Sequence, residues 1–172
     1  MYLPITKPYI TEREHELIEK SLHSGWLVQG PRVLEFEERI ARFTGARYAI
    51  AINSCTSGQF IVSRILDLKP GEEVVLPAFT WISTANSVEF LGAKPVFCDI
   101  SLDTFNIDTQ QIPGYINGST RAIYPVTLFG LPADIPEVTK IASRYDLSIV
   151  EDCACGLGAR IGDMHCGLYG EA

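Results

Sequence analysis

The chain is 172 residues long, with 21 acidic residues against 14 Lys and Arg and a formal net charge of −7. Its 47% hydrophobic and 20% charged content describes a folded domain with a sizeable core and excludes a disordered chain. The acidic balance weighs against nucleic acid and against an anionic membrane surface as partners. It leaves an anionic small molecule open, because helix N-termini bind anions whatever the net charge.

Met1 to Pro8 has no long apolar core and a charged segment follows, so no leader peptide is expected and the protein is read as cytoplasmic. No run of about 18 apolar residues is available to span a bilayer. Thr11-Glu12-Arg13-Glu14 has the form of a capping box. It opens a predicted helix to about Leu22, with Gly25 just past its end. Pro31 suits a first helical position, and Val33, Phe36, Ile40 and Phe43 recur behind it at helical spacing. Tyr48 to Ile52 predicts a first strand, followed by a helix from Thr56 to Leu66. Glu73 to Pro77 predicts a second strand, and Ser83 to Leu91 its helix. Pro95 to Ile100 predicts a third, with a short helix near Asp108. Arg121 to Val126 predicts a fourth, Ile135 to Tyr145 a helix, and Leu147 to Glu151 a fifth strand.

These strand runs are apolar without alternation, as expected of strands covered on both faces. The alternation of strand and helix predicts an α/β domain of three layers, α/β/α, around a mostly parallel sheet. Ligands of such sheets bind beyond the carboxyl ends of the strands. Four segments fall there: 53–57, 78–81, 127–130 and 152–156.

In the first, Asn53-Ser54-Cys55-Thr56-Ser57-Gly58 leads from an apolar run into a helix. Small hydroxylated residues at a helix N-terminus can cup a phosphate, or Ser54 or Thr56 can simply cap the helix. In the second, Trp81 follows a strand end, where it can stack on a flat ring or pack into the core. In the last, Glu151-Asp152 closes an apolar strand. A carboxylate at that depth needs a cation or several donors. A protonated pyridine nitrogen is one such partner; a cap on the next turn is the alternative.

Two further features carry less. Cysteines 55, 98, 153, 155 and 166 form an odd set in mostly apolar settings, read as reduced thiols. Cys153-Ala154-Cys155 has neither redox nor zinc spacing, and His165 beside Cys166 adds a single ligand, so no metal site is expected. Gly156-Leu157-Gly158-Ala159-Arg160-Ile161-Gly162 imitates a dinucleotide fingerprint, but its spacing is GxGxxxG, and Ile161 to Met164 reads as strand and turn.

Taken in order, the cup, the aromatic and the buried Asp lie among motifs along nearly the whole chain. They run from Lys7-Pro8-Tyr9-Ile10 and Ser24-Gly25-Trp26-Leu27-Val28-Gln29-Gly30-Pro31 through Pro77-Ala78-Phe79-Thr80-Trp81. Gly92-Ala93-Lys94-Pro95-Val96-Phe97, Phe129-Gly130-Leu131-Pro132-Ala133-Asp134 and Val150-Glu151-Asp152-Cys153-Ala154 follow. With these motifs the chain resembles the DegT/DnrJ/EryC1/StrS sugar aminotransferases, which have the aspartate-aminotransferase fold (fold type I). The resemblance implies pyridoxal 5'-phosphate as cofactor. Thr56 and Ser57 would hold its phosphate, Trp81 would stack on its ring, and Asp152 would pair with the ring nitrogen. Cys155 would lie against the ring, and the turn with Gly25, Trp26 and Gly30 would lie at the substrate entrance. The implied substrates are a nucleotide-linked keto-sugar and an amino acid, usually glutamate, and the implied assembly is a homodimer. Residues 1–31 would form an N-terminal helix and entrance segment, and residues 32–172 the N-terminal part of the cofactor-binding large domain.

The chain departs from the family pattern at three positions. Cys55 stands where Gly is usual, Cys155 where a Gln or His usually contacts the ring, and Thr127 where a His is frequent. A pyridoxal enzyme also needs a lysine as Schiff-base anchor, and no lysine follows Lys140. The expectation is therefore a portion of the enzyme without its anchor and inactive alone. The alternatives are an inactive truncated relative that binds a full-length partner, and an NAD-dependent oxidoreductase built on Gly156 to Gly162.

Overall fold

The computed structural model describes residues 7–171. Most of the stretch read as lacking a leader, Met1 to Thr6, lies outside them. Two helices come first, α1 (Glu12–His23) and α2 (Pro31–Thr44). The Glu14 carboxylate accepts from the Thr11 backbone N–H at 2.6 Å, which closes the predicted box. Hydrogen bonds from Thr11 hold the Glu14 carboxyl below its usual range. Both helices form where expected, yet neither has a fully buried residue, and Phe36 and Phe43 are more than half exposed.

The centre is a four-stranded, all-parallel sheet of β1 (Glu73–Pro77), β2 (Lys94–Cys98), β3 (Thr120–Ile123) and β4 (Ser148–Ile149), in the order β2-β1-β3-β4. Alternate residues of each strand go to opposite faces. Val74, Leu76, Ala122 and Tyr124 pack on one face with Ala85 and Val88 of α4 (Ser83–Glu89) and Val62 of α3 (Cys55–Ile65). Val75, Ile123 and Ile149 pack on the other with Ile112 of α5 (Ile112–Tyr115) and with Val138 and Ile141 of α6 (Ile135–Tyr145). This is the expected three-layer α/β/α arrangement. The short helix expected near Asp108 forms four residues later, at α5. Asp108 instead opens a turn, its carboxylate accepting from the Gln110 N–H and its carbonyl from the Gln111 N–H, each at 3.1 Å.

One predicted strand does not form. Tyr48 to Ile52 is unpaired, and Ile50 is 80% exposed. An apolar run becomes a strand only beside another strand, and none among the described residues lies next to it; its one hydrogen bond among the described residues is the Ala51 N–H donating to Glu37 Oε1 at 2.8 Å. β1 has the expected bounds, whereas β2, β3 and β4 are shorter than their apolar runs. β4 has two residues, and the chain beyond it is carried on by a single parallel bridge between Val126 and Asp152. The glycine-rich 156–162 segment leads into an antiparallel hairpin, β5 (Arg160–Ile161) with β6 (Met164–His165), and not into a helix. The dinucleotide reading requires a helix there.

Glu151 is the anchor of the last segment. Its buried carboxylate accepts from the N–H groups of Gly167 at 3.0 Å, Tyr169 at 2.6 Å and Gly170 at 3.2 Å. Glu171 completes the attachment, because the Ile149 N–H donates to its carboxylate and its own N–H donates to Ile149 O. Glu151→Ala leaves three backbone donors without their acceptor. It should lower stability by about 2–3 kcal/mol in urea unfolding and speed amide hydrogen exchange at Gly167, Tyr169 and Gly170.

Candidate active site

The sheet reverses its direction of growth at β1: β2 is added on one side, β3 and β4 on the other. The carboxyl ends of β1 and β3 therefore flank a crevice, the usual ligand position in open α/β sheets. Four segments arrive at it.

The first is the start of α3. Ser54 is its N-cap, with its hydroxyl oxygen accepting from the Ser57 N–H at 3.1 Å and its hydroxyl donating to Ser57 Oγ at 3.0 Å. The amides of Cys55 and Thr56 have no partner among the described residues. Two free N–H groups and two hydroxyls, on the positive end of an 11-residue helix, are suited to an anion. Capping and cup are therefore compatible: Ser54 caps the helix, and Thr56 and Ser57 line an open pocket with Phe60, Ile61 and Phe90.

The second is Asp152, 6% exposed, just beyond β4. Its backbone is held in the sheet, with its N–H donating to Pro125 O and its C=O accepting from Thr127 N–H, each at 2.9 Å. Its Oδ2 accepts from Gln59 Nε2 and, at 2.9 Å, from Thr84 Oγ1. Its Oδ1 accepts from the Ala154 N–H at 3.1 Å and faces the Cys55 thiol at 3.9 Å. Cys55 and Gln59 are one helical turn apart, so a single face of α3 meets the carboxylate. The third segment is α4, which brings Thr84, itself 3.1 Å from Thr80 Oγ1.

The fourth is the loop after β3. Buried Asn106 pins it, donating from Nδ2 to Leu131 O at 2.9 Å and accepting the Leu128 N–H at 3.1 Å. Phe129 in this loop has φ +53°, a costly conformation for a bulky residue. Phe79 lies between Phe105 and Phe129, with ring centroids at 6.0 and 6.4 Å.

The other expected residues divide. Trp81 is 76% exposed on the loop into α4, three residues before Thr84, so it is not a core aromatic. Its ring makes no hydrogen bond among the described residues, and its carbonyl accepts from the Thr84 N–H at 3.1 Å. Cys155 is exposed and near enough to Cys55 to act on it. Burial, followed by the Asp152 and Cys155 charges, pushes the Cys55 thiol up, which keeps it neutral beside the carboxylate. Gly25, Trp26 and Gly30 form a self-contained turn. Trp26 Nε1 donates to Gln29 O at 3.0 Å, and a Cβ on Gly30 would fall 1.9 Å from that nitrogen. No hydrogen bond among the described residues joins this turn to Asp152. None of the five lysines donates to Asp152 either; Lys140, for example, pairs with Glu137 at 2.7 Å on the surface of α6. Gln59, Thr84 and Asn106 went unread in the sequence. The only signal was polarity inside otherwise apolar helical and strand-flanking stretches.

Among the described residues no helix is long and apolar enough to cross a membrane, and no group of three or more His, Cys, Asp or Glu is placed to hold a metal.

The chain matches the family described as the DegT/DnrJ/EryC1/StrS aminotransferase family over residues 8–172. It belongs to that family. It is 38% identical over 157 residues to the UDP-4-amino-4-deoxy-L-arabinose–oxoglutarate aminotransferase of Shewanella sediminis, covering 91% of this chain and 40% of that protein. The crystal structure of the aminotransferase TlmJ from Streptoalloteichus hindustanus superposes with a TM-score of 0.90 at 29% identity, over 97% of this chain and 46% of that one. The structure of a GDP-4-keto-6-deoxymannose-3-dehydratase with a trapped PLP-glutamate geminal diamine gives 0.92 at 27% identity, over 98% and 45%. The fold is therefore that of the pyridoxal-phosphate-dependent transferases, and the chain spans less than half the length of each of these relatives.

Burial also pushes the Cys98 and Cys153 thiols up to about 12, against an ordinary value of 9.0. In the unfolded chain both ionise near the ordinary value, so above it the unfolded state binds fewer protons than the folded state. Stability should then fall as pH rises from about 9 to about 12, and these thiols contribute no change below that window. Buried Tyr124, whose phenol is pushed up by burial, acts in the same direction. Urea midpoints should drop between about pH 9 and about pH 12, fully buried Cys98 alone contributing on the order of 1 kcal/mol per pH unit. Cys98→Ala should flatten the slope.

Proposed function

We propose that this chain is the N-terminal part of a pyridoxal 5'-phosphate-dependent aminotransferase that acts on a nucleotide-linked keto-sugar with glutamate as amino donor. The observation that carries the reading is a buried, donor-clamped Asp152 held against the first turns of α3, the helix whose N-terminus is open. A ligand with a phosphate at one end and a basic ring nitrogen at the other matches an anion cup opposite a carboxylate. The family membership and the cofactor named in the dehydratase structure support the same cofactor.

In this reading Thr56 and Ser57 bind the phosphate through hydroxyls and the free first-turn amides. Trp81, with its ring faces exposed, covers one side of the cofactor ring. Asp152 holds a proton on the ring nitrogen, and Cys155 lines the ring edge where a stronger donor is usual in the family. When bound, pyridoxal phosphate supplies an aldehyde that takes up amino groups and a ring that accepts electrons. The protein's share is binding, orientation and that one proton.

The Gly25 to Gly30 turn lies at the substrate entrance. Residues 1–31 form an entrance segment, and residues 32–172 are the first part of the large domain. The covalent anchor is a lysine outside the five present here, and residues 1–172 alone are inactive. The working assembly is a cytoplasmic homodimer.

An absorbance scan of the full-length protein tests the cofactor: a long-wavelength band that is lost on dialysis against hydroxylamine is expected. Asp152→Asn keeps the size and removes the charge, and should lower amino-group transfer by about 10²–10³-fold, the cost of losing one preorganised electrostatic contact. Retained activity in that variant would reject the role of Asp152. Product analysis with glutamate and keto-sugars separates amino-sugar formation from dehydration, the activity named for one structural relative.

A further inference from the structure

We propose that Gln59 is a positioning residue for Asp152, fixing which carboxylate oxygen stays available at the strand ends. The inference rests on the functional reading above and concerns a residue that reading does not use.

Gln59 is 6% exposed, on the α3 face that meets Asp152. Its Nε2 donates to Asp152 Oδ2, while its Oε1 is buried without a partner. A buried acceptor left unpaired weakens a fold. A leucine or methionine would fill the same space without that cost. The side chain therefore contributes little to packing that an apolar residue could not, and its distinctive contribution is the bond to Asp152.

That bond has a directional consequence. Oδ2 accepts two side-chain donors, Gln59 and Thr84. Oδ1 accepts one backbone N–H, from Ala154, and faces a thiol at 3.9 Å, a weak donor at long range. Acceptor capacity is left on Oδ1, the oxygen turned towards Cys55 and the start of α3. Thr84 alone is a poor substitute, because a hydroxyl rotates and Thr84 also lies 3.1 Å from Thr80 Oγ1. With Gln59 in place the carboxylate has a fixed rotamer and presents Oδ1; without it the two oxygens exchange roles.

The test is a cycle of Gln59→Leu and Asp152→Asn in the full-length protein, with pyridoxal phosphate as the probe. Thermal unfolding without cofactor, the Kd for pyridoxal phosphate and the position of its long-wavelength band are measured for each protein. Gln59→Leu should shift the unfolding temperature little, because the lost donor to Asp152 is offset by removal of the unpaired Oε1, yet bind about tenfold more weakly, the scale of a hydrogen bond to a charged group, with a shifted band. In the Asp152→Asn background the same change should alter Kd by less than about twofold, because the group it acts through is gone. A lower unfolding temperature with unchanged Kd and band would make Gln59 a packing residue and overturn the proposal. So would an equal tenfold effect in both backgrounds. Should Gln59→Leu not fold, Gln59→Met, which keeps the unbranched shape, takes its place. A wild-type protein that binds no pyridoxal phosphate overturns the functional reading itself, before any variant is compared.

Discussion

A carboxylate at the floor of an apolar sheet is the constraint on which this site depends. Moving an ionised carboxyl out of water is costly unless donors replace the lost hydration. Asp152 draws those donors from three places: Gln59 on α3, Thr84 on α4 and the Ala154 amide in its own turn. Each bond also fixes the element that supplies it. The start of α3, which carries the anion cup, is therefore held beside the strand ends by the same group that gives the site its charge.

The neighbouring carboxylate does different work, and the reason is the pleat. Consecutive residues of an extended chain point to opposite sides. Asp152 turns towards α3 and α4, whereas Glu151 turns to the Gly167–Gly170 amides and holds the final segment against β4. Two adjacent acidic residues in an apolar setting thus divide into one facing the site and one fastening the backbone. The two-residue β4 is sustained by this arrangement, since its own ladder supplies few bonds.

Much of the architecture could be read from pattern. Mostly apolar, non-alternating runs at 73–77, 95–100, 121–126 and 147–151 signalled a parallel sheet, and four strands formed on them, β2 and β3 each starting one residue earlier. The run at 48–52 had the same composition and formed none, because strand formation is decided by a neighbour that composition does not reveal. The α2 stripe shows the same limit: helical spacing predicted the helix, but not that Phe36 and Phe43 would remain half exposed. By itself in the sequence Trp81 was more readily a core residue than a stacking one, and its exposure settles only that it is not core.

The order of motifs, the helix cap at Thr11 and the family resemblance were all determined by the sequence alone, because each depends on neighbours a few positions apart or on residue identity. The tertiary structure decided what depends on distant pairs. Gln59 and Asp152 are 93 positions apart, and Thr84 and Asp152 are 68 apart. No local pattern marks either pair, because a glutamine inside a helix and a threonine at a helix start look ordinary until the fold brings them against a buried charge.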